Sequence, residues 1–523
     1  MKLVATAAAI FCAAALAPNT FAQALRPLVL TGRVVADDAG HPIPNVRVSA
    51  GGLVVLTDGD GRFTIATRSP IDRIKVSKPG YGPRTLLPAD WHQSSDIRLT
   101  RGAAISGRVV DEFGDPLPVT RVVAESAADG SLVAATQTDD RGDYRIGSLP
   151  AGTFTVATVR VTAASMNLPI RSPAKSYYPG TTSAQQAESV RLAPGDDRPR
   201  LDFVLSADPL ALPPTAIVVG ASRAPDVQDR NAGGTAIVRG RVTATDGRSV
   251  PQAQVRLLSQ PYLWQSKVTR ADGEGRFEFR DVPAGKFQLV ASKPGYSAPP
   301  AEPISMVELR DGQVREHVEL RLAPWGTVTG RVLDEFGDPM QDATVQALQI
   351  RNQAGRRRLV PAGGFARATD DLGRYRLFGL PPGQYIISAS VGAAFSAGGV
   401  SSADVPGYGR SYFPAATDAV NAQFVSVAVG PELSGIDIAL SRVRTARVSG
   451  TLLNAAGEAT MGGSLTLTPN IRSGAVTDVS VGARISANGS FEFPNVPPGQ
   501  YVVRADRGRE RSRGSKASSV RFP

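Results

Sequence analysis

Five times along this 523-residue chain the same string returns, and a string that must fold alike in five places leaves few architectures open. It reads TDDRGDYRIGSLPAGTF from Thr138, RADGEGRFEFRDVPAGKF from Arg270, TDDLGRYRLFGLPPGQY from Thr369 and ISANGSFEFPNVPPGQY from Ile485; a half copy, TDGDGRFTIAT, starts at Thr57. Asp or Asn bonds its own backbone and tolerates left-handed φ, so the first part predicts a hairpin turn completed by Gly61, Gly142, Gly275, Gly373 and Gly489. The aromatic two residues on (Phe63, Tyr144, Phe277, Tyr375, Phe491) opens an alternating strand. A Pro-Ala-Gly or Pro-Pro-Gly turn follows, and Phe154, Phe287, Tyr385 or Tyr501 opens the next strand, placed to pack across an adjacent antiparallel pair.

Ahead of each cassette runs another strand beginning with Gly: GRVV at Gly32, GRVV at Gly107, GRVT at Gly240, GRVL at Gly330 and GTLL at Gly450. Val46 and Val48, Val255 and Leu257, and Leu465 and Leu467 alternate with polar neighbours, and a period of two means half-buried strands. Glycine (53) and proline (40) are abundant while aromatics are 6%, a profile of turn-rich β domains, and the chain is too long for one core.

The unit of GRVV, the GDPL turn, TDDRGDY, LPAGTF and the trailing KPGY of Lys78 and Lys293 resembles the carboxypeptidase regulatory-like domain. That resemblance implies an all-β fold: a tandem array of about five seven-stranded Greek-key β-sandwiches of the transthyretin-like kind. It also implies sugar as a candidate ligand, since the domain is similar to starch-binding-like sandwiches. Copy one departs from the pattern where TRSPIDRIKV replaces the Pro-Ala-Gly turn, and copy five departs more after Tyr501.

A longer repeat lies above the short one. Lys78 and Lys293 are 215 residues apart and Gly107 and Gly330 are 223 apart, so a two-domain unit is duplicated and a fifth domain begins a third. The expected layout is a signal peptide (1–22), sandwiches at 27–100 and 101–206, a Pro-rich linker (207–235), sandwiches at 236–322, 323–442 and 443–506, the last incomplete, and a basic tail (507–523). With a core in each copy, we expect an elongated molecule whose domains touch mainly their neighbours, and residues beyond Arg504 without order.

The N-terminus reads as a secretory signal: Lys2, an apolar stretch from Leu3 to Leu16, Pro18, and small residues at Thr20 and Ala22, with cleavage near Ala22. Cys12 is the only cysteine, so the mature chain holds no disulfide and no thiolate metal site. No later run reaches the length of a membrane helix, and the mature chain is expected to be secreted, periplasmic or surface-associated.

Catalytic chemistry finds no foothold. His41, His92 and His317 are the only histidines and none begins a His-x-x-Glu pair; GASRA at Gly220 lacks the last glycine of a hydrolase elbow. Asp139 and Asp140 are paired carboxylates, but they sit in the recurring turn. A calcium loop starting at Asp58 would need an oxygen ligand where Arg62 stands and Glu where Ser69 stands. The expectation is a protein that is not an enzyme and needs no cofactor or metal.

Net charge +11 permits acidic partners, and two basic clusters are candidate anion sites: Arg356, Arg357 and Arg358, and the tail residues Arg509, Arg511 and Arg513. Export argues against nucleic acid and for polysaccharide or another envelope component. Tyr262 and Trp264 share a strand face in copy three and are the candidate sugar platform. Two functions stand: a weak, multivalent binder of carbohydrate or envelope surface, and a structural spacer or protein-binding scaffold.

Overall fold

The computed structural model describes residues 28–51, 53–67, 71–87, 96–160, 174–205, 234–259, 266–299, 305–353, 356–362, 367–391, 408–430, 432–443, 446–454, 457–459, 464–469, 481–486, 488–496, 500–506 and 519–521. These residues are all-β apart from one 3-10 turn at Ala184–Gln186.

Sandwich 1 shows the plan. Its strands are β1 (Leu28–Ala36), β2 (Arg47–Ala50), β3 (Leu53–Leu56), β4 (Arg62–Thr67), β5 (Ile74–Ser77), β6 (Arg84–Leu86) and β7 (Ile97–Leu99). One sheet has the order β4-β1-β7 and the other β3-β2-β5-β6. The lead strand β1 pairs antiparallel with β4 and, through Val34 to Ala36, parallel with the closing strand β7. β4 alternates exposed and buried along its length, and its inward Phe63 and Ile65 meet Val48 and Val76 of the opposite sheet in one core.

The same two-sheet order recurs in the segments led by Ala103–Asp111, Ala236–Ala244 and Gly326–Leu333, each around a core of its own. The fifth segment, led by Ala446–Thr451, has a two-stranded sheet facing a four-stranded one. Its basic tail is not all tail, because Ser519–Arg521 forms a strand antiparallel to Tyr501–Asp506.

The cassette turn does not close a hairpin. Leu132–Gln137 and Asp143–Leu149 flank it in sandwich 2 yet lie in different sheets, and so do the strands carrying Tyr144 and Phe154. The cassette therefore carries the chain across the sandwich, and its aromatics meet through the core instead of along a ladder. Its threonine explains why. Thr57, Thr138 and Thr369 are buried, and each hydroxyl accepts one backbone N–H (Val46, Thr120, Ala343; each 2.9 Å) and donates to a carbonyl (Ile43, Leu117, Met340). Those bonds satisfy backbone groups at the point where the chain leaves one ladder before joining the next.

Candidate functional site

The cassettes of sandwiches 2 and 4 form the site-like region of the molecule, and they do so together. In each, the first aspartate of the Asp-Asp pair is spent on the turn. Asp139 accepts the N–H groups of Arg141 and Asp143 (both 2.9 Å), and Asp370 those of Leu372 and Arg374 (3.0 and 2.8 Å). Gly142 and Gly373 complete the turns at φ +77° and +69°. A Cβ on Gly373 would stand 2.6 Å from the Val332 carbonyl, so only glycine fits.

The second aspartate is left free to reach outward, and it reaches the other sandwich. Asp371 accepts Arg145 Nε and Nη2 at 2.8 and 3.2 Å; Asp140 accepts Arg376 Nε and Nη2 at 2.5 and 3.0 Å. The two arginines hold the same place in their cassettes, one residue after Tyr144 and Tyr375. Each is clamped from behind by its own sandwich: Arg145 by Asp197 at 3.0 Å, Arg376 by Glu432 at 2.7 Å. The side chains of Asp371, Asp140 and Arg376 are 7%, 12% and 15% exposed. Residue i of one sandwich meets residue j of the other while j meets i, which is the signature of a two-fold contact.

Two lysine contacts obey the same symmetry. Lys78 of sandwich 1 donates to Asp338 of sandwich 4 (2.6 Å) and to the Pro44 carbonyl. The matching Lys293 of sandwich 3 lies 3.6 Å from Asp115 of sandwich 2 and donates to the Pro251 carbonyl. Within each unit, Gly102 N–H donates to Gly80 and Trp325 N–H to Gly295. Arg270 of sandwich 3 also pairs with Asp111 at 3.1 Å and lies over the Phe113 ring at 3.8 Å. Sandwiches 1 and 2 are thus related to 3 and 4 as the halves of a dimer carried on one chain. The expectation that domains touch mainly their sequence neighbours fails here: sandwich 4 contacts both 1 and 2. The reason is that residues outside the repeat's structural minimum, the second Asp and the Arg, were spare for docking.

Electrostatics follow from this burial. Burial pushes the Asp139 and Asp370 carboxyls up, the adjoining Asp140 and Asp371 adding to it. Its hydrogen bond from Arg376 holds Glu432 below the usual glutamate range. Burial pulls Arg376 down, but hydrogen bonds to Asp140 and Glu432 outweigh it and keep the guanidinium charged. Between the two cassettes lies a polar cleft of about 800 Å³ bordered by Arg141, Asp143, Arg331, Arg374 and Asp437. Its acids and bases are mutually engaged to a large extent, as in the Arg108–Asp143 pair at 2.7 Å.

Of the residues singled out from sequence, Asp139 and Asp140 lie at this contact. Tyr262, Trp264, Arg509, Arg511 and Arg513, the signal segment and nearly all of the linker lie outside the described residues. The backbone of Arg356, Arg357 and Arg358 lies on the strand Arg356–Pro361, paired with Thr344–Gln353. Sequence reasoning set Asp140 aside as part of the recurring turn and did not single out Arg145, Arg376 or Asp371. The signal was present: only copies two and four read Thr-Asp-Asp-x-Gly-x-Tyr-Arg, while the others put Gly59, Gly273 or Ala487 at the second acid and Thr64, Glu278 or Glu492 at the arginine.

Among the described residues, no helix is long and apolar enough to cross a membrane. No curated protein matches the chain. Among solved structures, the Bacillus anthracis TIE protein is 11% identical, covering 80% of this chain and 69% of its own, with a TM-score of 0.17. A streptococcal ancillary pilin is 13% identical over 65% of this chain and 99% of its own (TM-score 0.22). Two B repeat units of the collagen binding protein of Staphylococcus aureus are 11% identical over 79% and 94% (TM-score 0.15). Residues 104–206 and 237–322, which are sandwiches 2 and 3, each match the family model of the carboxypeptidase regulatory-like domain.

Proposed function

We propose that the protein is a non-catalytic, exported scaffold: four sandwiches docked into one block that holds its outer loops at fixed spacing for weak, multivalent attachment to carbohydrate or another envelope component. The observation that carries this reading is the reciprocal Arg145–Asp371 and Arg376–Asp140 contact. Asp140, half of the carboxylate pair weighed for acid–base work, is engaged with Arg376 in holding sandwiches together, as Asp371 is with Arg145. Rigid spacing favours multivalent binding because each further weak contact forms at high effective concentration. The scaffold role stands without sugar; the sugar role adds Tyr262 and Trp264 as the ring platform.

A glycan array probed with the mature chain, alongside Tyr262→Ala/Trp264→Ala, tests the finer half. Binding to a polysaccharide class that is lost in the double variant supports it, and a blank array leaves the scaffold alone. Loss of the docked arrangement with no change in surface attachment would sink the scaffold reading.

A further inference from the structure

Sandwich 4 carries a pair of charges that the fold itself does not need. In every sandwich the lead strand and the cassette strand bring two residues face to face. They are Arg33 and Arg62 in sandwich 1, Arg108 and Asp143 in 2, Arg241 and Arg276 in 3, Arg331 and Arg374 in 4, and Thr451 and Ser490 in 5. Side chains directly opposite on an antiparallel pair share one face of the sheet, about 5 Å apart at Cβ, and like charges there repel. Sandwich 2 resolves the position with an ion pair, Arg108 to Asp143 at 2.7 Å. Sandwich 3 ties both arginines down: Arg241 donates to the Glu274 carbonyl and to Ser249 (2.9 and 2.7 Å), and Arg276 lies 3.4 Å from the Glu274 carboxylate. In sandwich 1, Arg33 donates to the Asp60 carbonyl at 3.1 Å. In sandwich 4 both arginines are exposed, and among the described residues neither guanidinium has a hydrogen-bond or ion-pair partner.

This pair opens on the polar cleft between sandwiches 2 and 4, and there it breaks their two-fold relation. Asp437 accepts the Arg331 backbone N–H at 2.8 Å, as Asp202 accepts that of Arg108. The three matching residues are therefore two arginines and one aspartate in sandwich 4 (Arg331, Arg374, Asp437), against one arginine and two aspartates in sandwich 2 (Arg108, Asp143, Asp202). Glu432, on the same side of the cleft, is already shared by Arg141 at 2.6 Å and Arg376 at 2.7 Å. The sandwich 4 wall is left with unmatched positive charge in a concave place.

We propose that this cleft binds a carboxylate-bearing sugar, a uronate residue of an acidic polysaccharide, with the carboxylate held between Arg331 and Arg374. A guanidinium fork matches the two oxygens of a carboxylate, and two forks on one sheet face grip it from both sides. Thr136, Gln137 and Thr329 border the same cleft and give its wall the hydroxyl and amide character that suits ring hydroxyls. Tyr144 and Tyr375 also border it, but both are buried and their hydroxyls donate to the Leu201 and Ile436 carbonyls. The cleft thus offers no flat ring for stacking, and the acid group carries recognition. Its volume of about 800 Å³ is that of a small-molecule site. The site rests on the carbohydrate half of the function proposed above and on the docking of sandwiches 2 and 4, and it is separate from the Tyr262 and Trp264 platform.

The test titrates the full mature chain by calorimetry at low salt with hexagalacturonate, with hexaglutamate of the same charge, and with neutral maltohexaose. Hexagalacturonate is expected to bind and to slow hydrogen exchange in Gly326–Leu333 and Arg374–Leu380, while maltohexaose leaves both strands unchanged. Arg374→Asp gives sandwich 4 the ion pair of sandwich 2, and Arg331→Gln removes the other cation. Each is expected to weaken hexagalacturonate by about tenfold or more. Unchanged exchange in Asp143–Leu149 shows that docking persists in the variant, and should Arg374→Asp undock the sandwiches, Arg331→Gln decides. Hexagalacturonate binding that survives the arginine variants overturns the proposal and leaves the carbohydrate reading standing. Hexaglutamate bound as tightly overturns it too, since the ligand would then be an acidic peptide. Binding of no glycan, acidic or neutral, overturns the proposal and the carbohydrate reading together.

Discussion

The reciprocal Arg–Asp contact makes a quantitative demand. In Arg145→Ala, Asp371 is left 7% exposed without its guanidinium; in Asp371→Ala, Arg145 keeps only Asp197. Removing one partner of a fully buried pair costs about 3–5 kcal/mol, while a fully exposed pair is worth about 0–1 kcal/mol. Arg145 is 22% exposed and the contact is two-pronged, so each single variant should lose about 2–3 kcal/mol of docking. The double variant should lose little more than either single, giving a coupling of about 2 kcal/mol or slightly more. The assay is hydrogen exchange in moderate urea on the full chain, following residues 139–149 and 370–380, which flank the contact from both sides. The same cycle on Arg376 and Asp140 must return a similar coupling, since symmetry makes the pairs equivalent. Coupling below about 0.5 kcal/mol in both cycles, the level at which independent sites add, would refute the docking. A large coupling in one and none in the other would refute the two-fold relation.

Three further expectations rest on the same contacts. Gly147→Ala puts a methyl about 2.0 Å from the Asp371 carboxyl at a backbone position that tolerates alanine, so it should loosen sandwich 2 from 4 without melting either; scattering should show a longer maximum dimension, and an unchanged one would count against the contact. Gly373→Val is strained at φ +69° and meets the Val332 carbonyl, costing about 1–3 kcal/mol, so calorimetry should show the transition of sandwich 4 lowered and that of sandwich 5 unmoved. With pH the signs oppose: the raised Asp139 and Asp370 favour the folded state as pH falls from neutral through their raised values, whereas the contribution of the lowered Glu432 is complete above the ordinary glutamate range and is lost as pH falls through its own value. Docking should therefore hold from neutral down to about pH 4.5 and weaken below about pH 4; a steady loss beginning near pH 6 would contradict it.

What the sequence made legible and what it hid have a physical division. Period-two alternation, Asp-x-x-Gly turns and glycines at forced positive φ are local signals, and each acts within a few residues; they specify strands and turns wherever they occur, so five sandwiches could be read from one repeated string. Which sheet a strand joins is not local. The buried hydroxyls of Thr57, Thr138 and Thr369, bonded to carbonyls 14 to 29 residues away, turn an expected hairpin into a crossing between sheets, and that lies in the packing. Docking is less local still, with Arg145 and Asp371 226 residues apart. It was nevertheless written in the differences between copies. Copies one, three and five hold Asp58, Asp272 and Ser486 at the turn; copies two and four add Asp140 and Asp371 to their turn acids Asp139 and Asp370, and set Arg145 and Arg376 beside the core tyrosines. Sandwich 5 carries Ala487 and Glu492 in those places, so it lacks the docking pair. Within one chain, then, the invariant positions report how a sandwich is made, and the positions that vary between copies report what each sandwich is for.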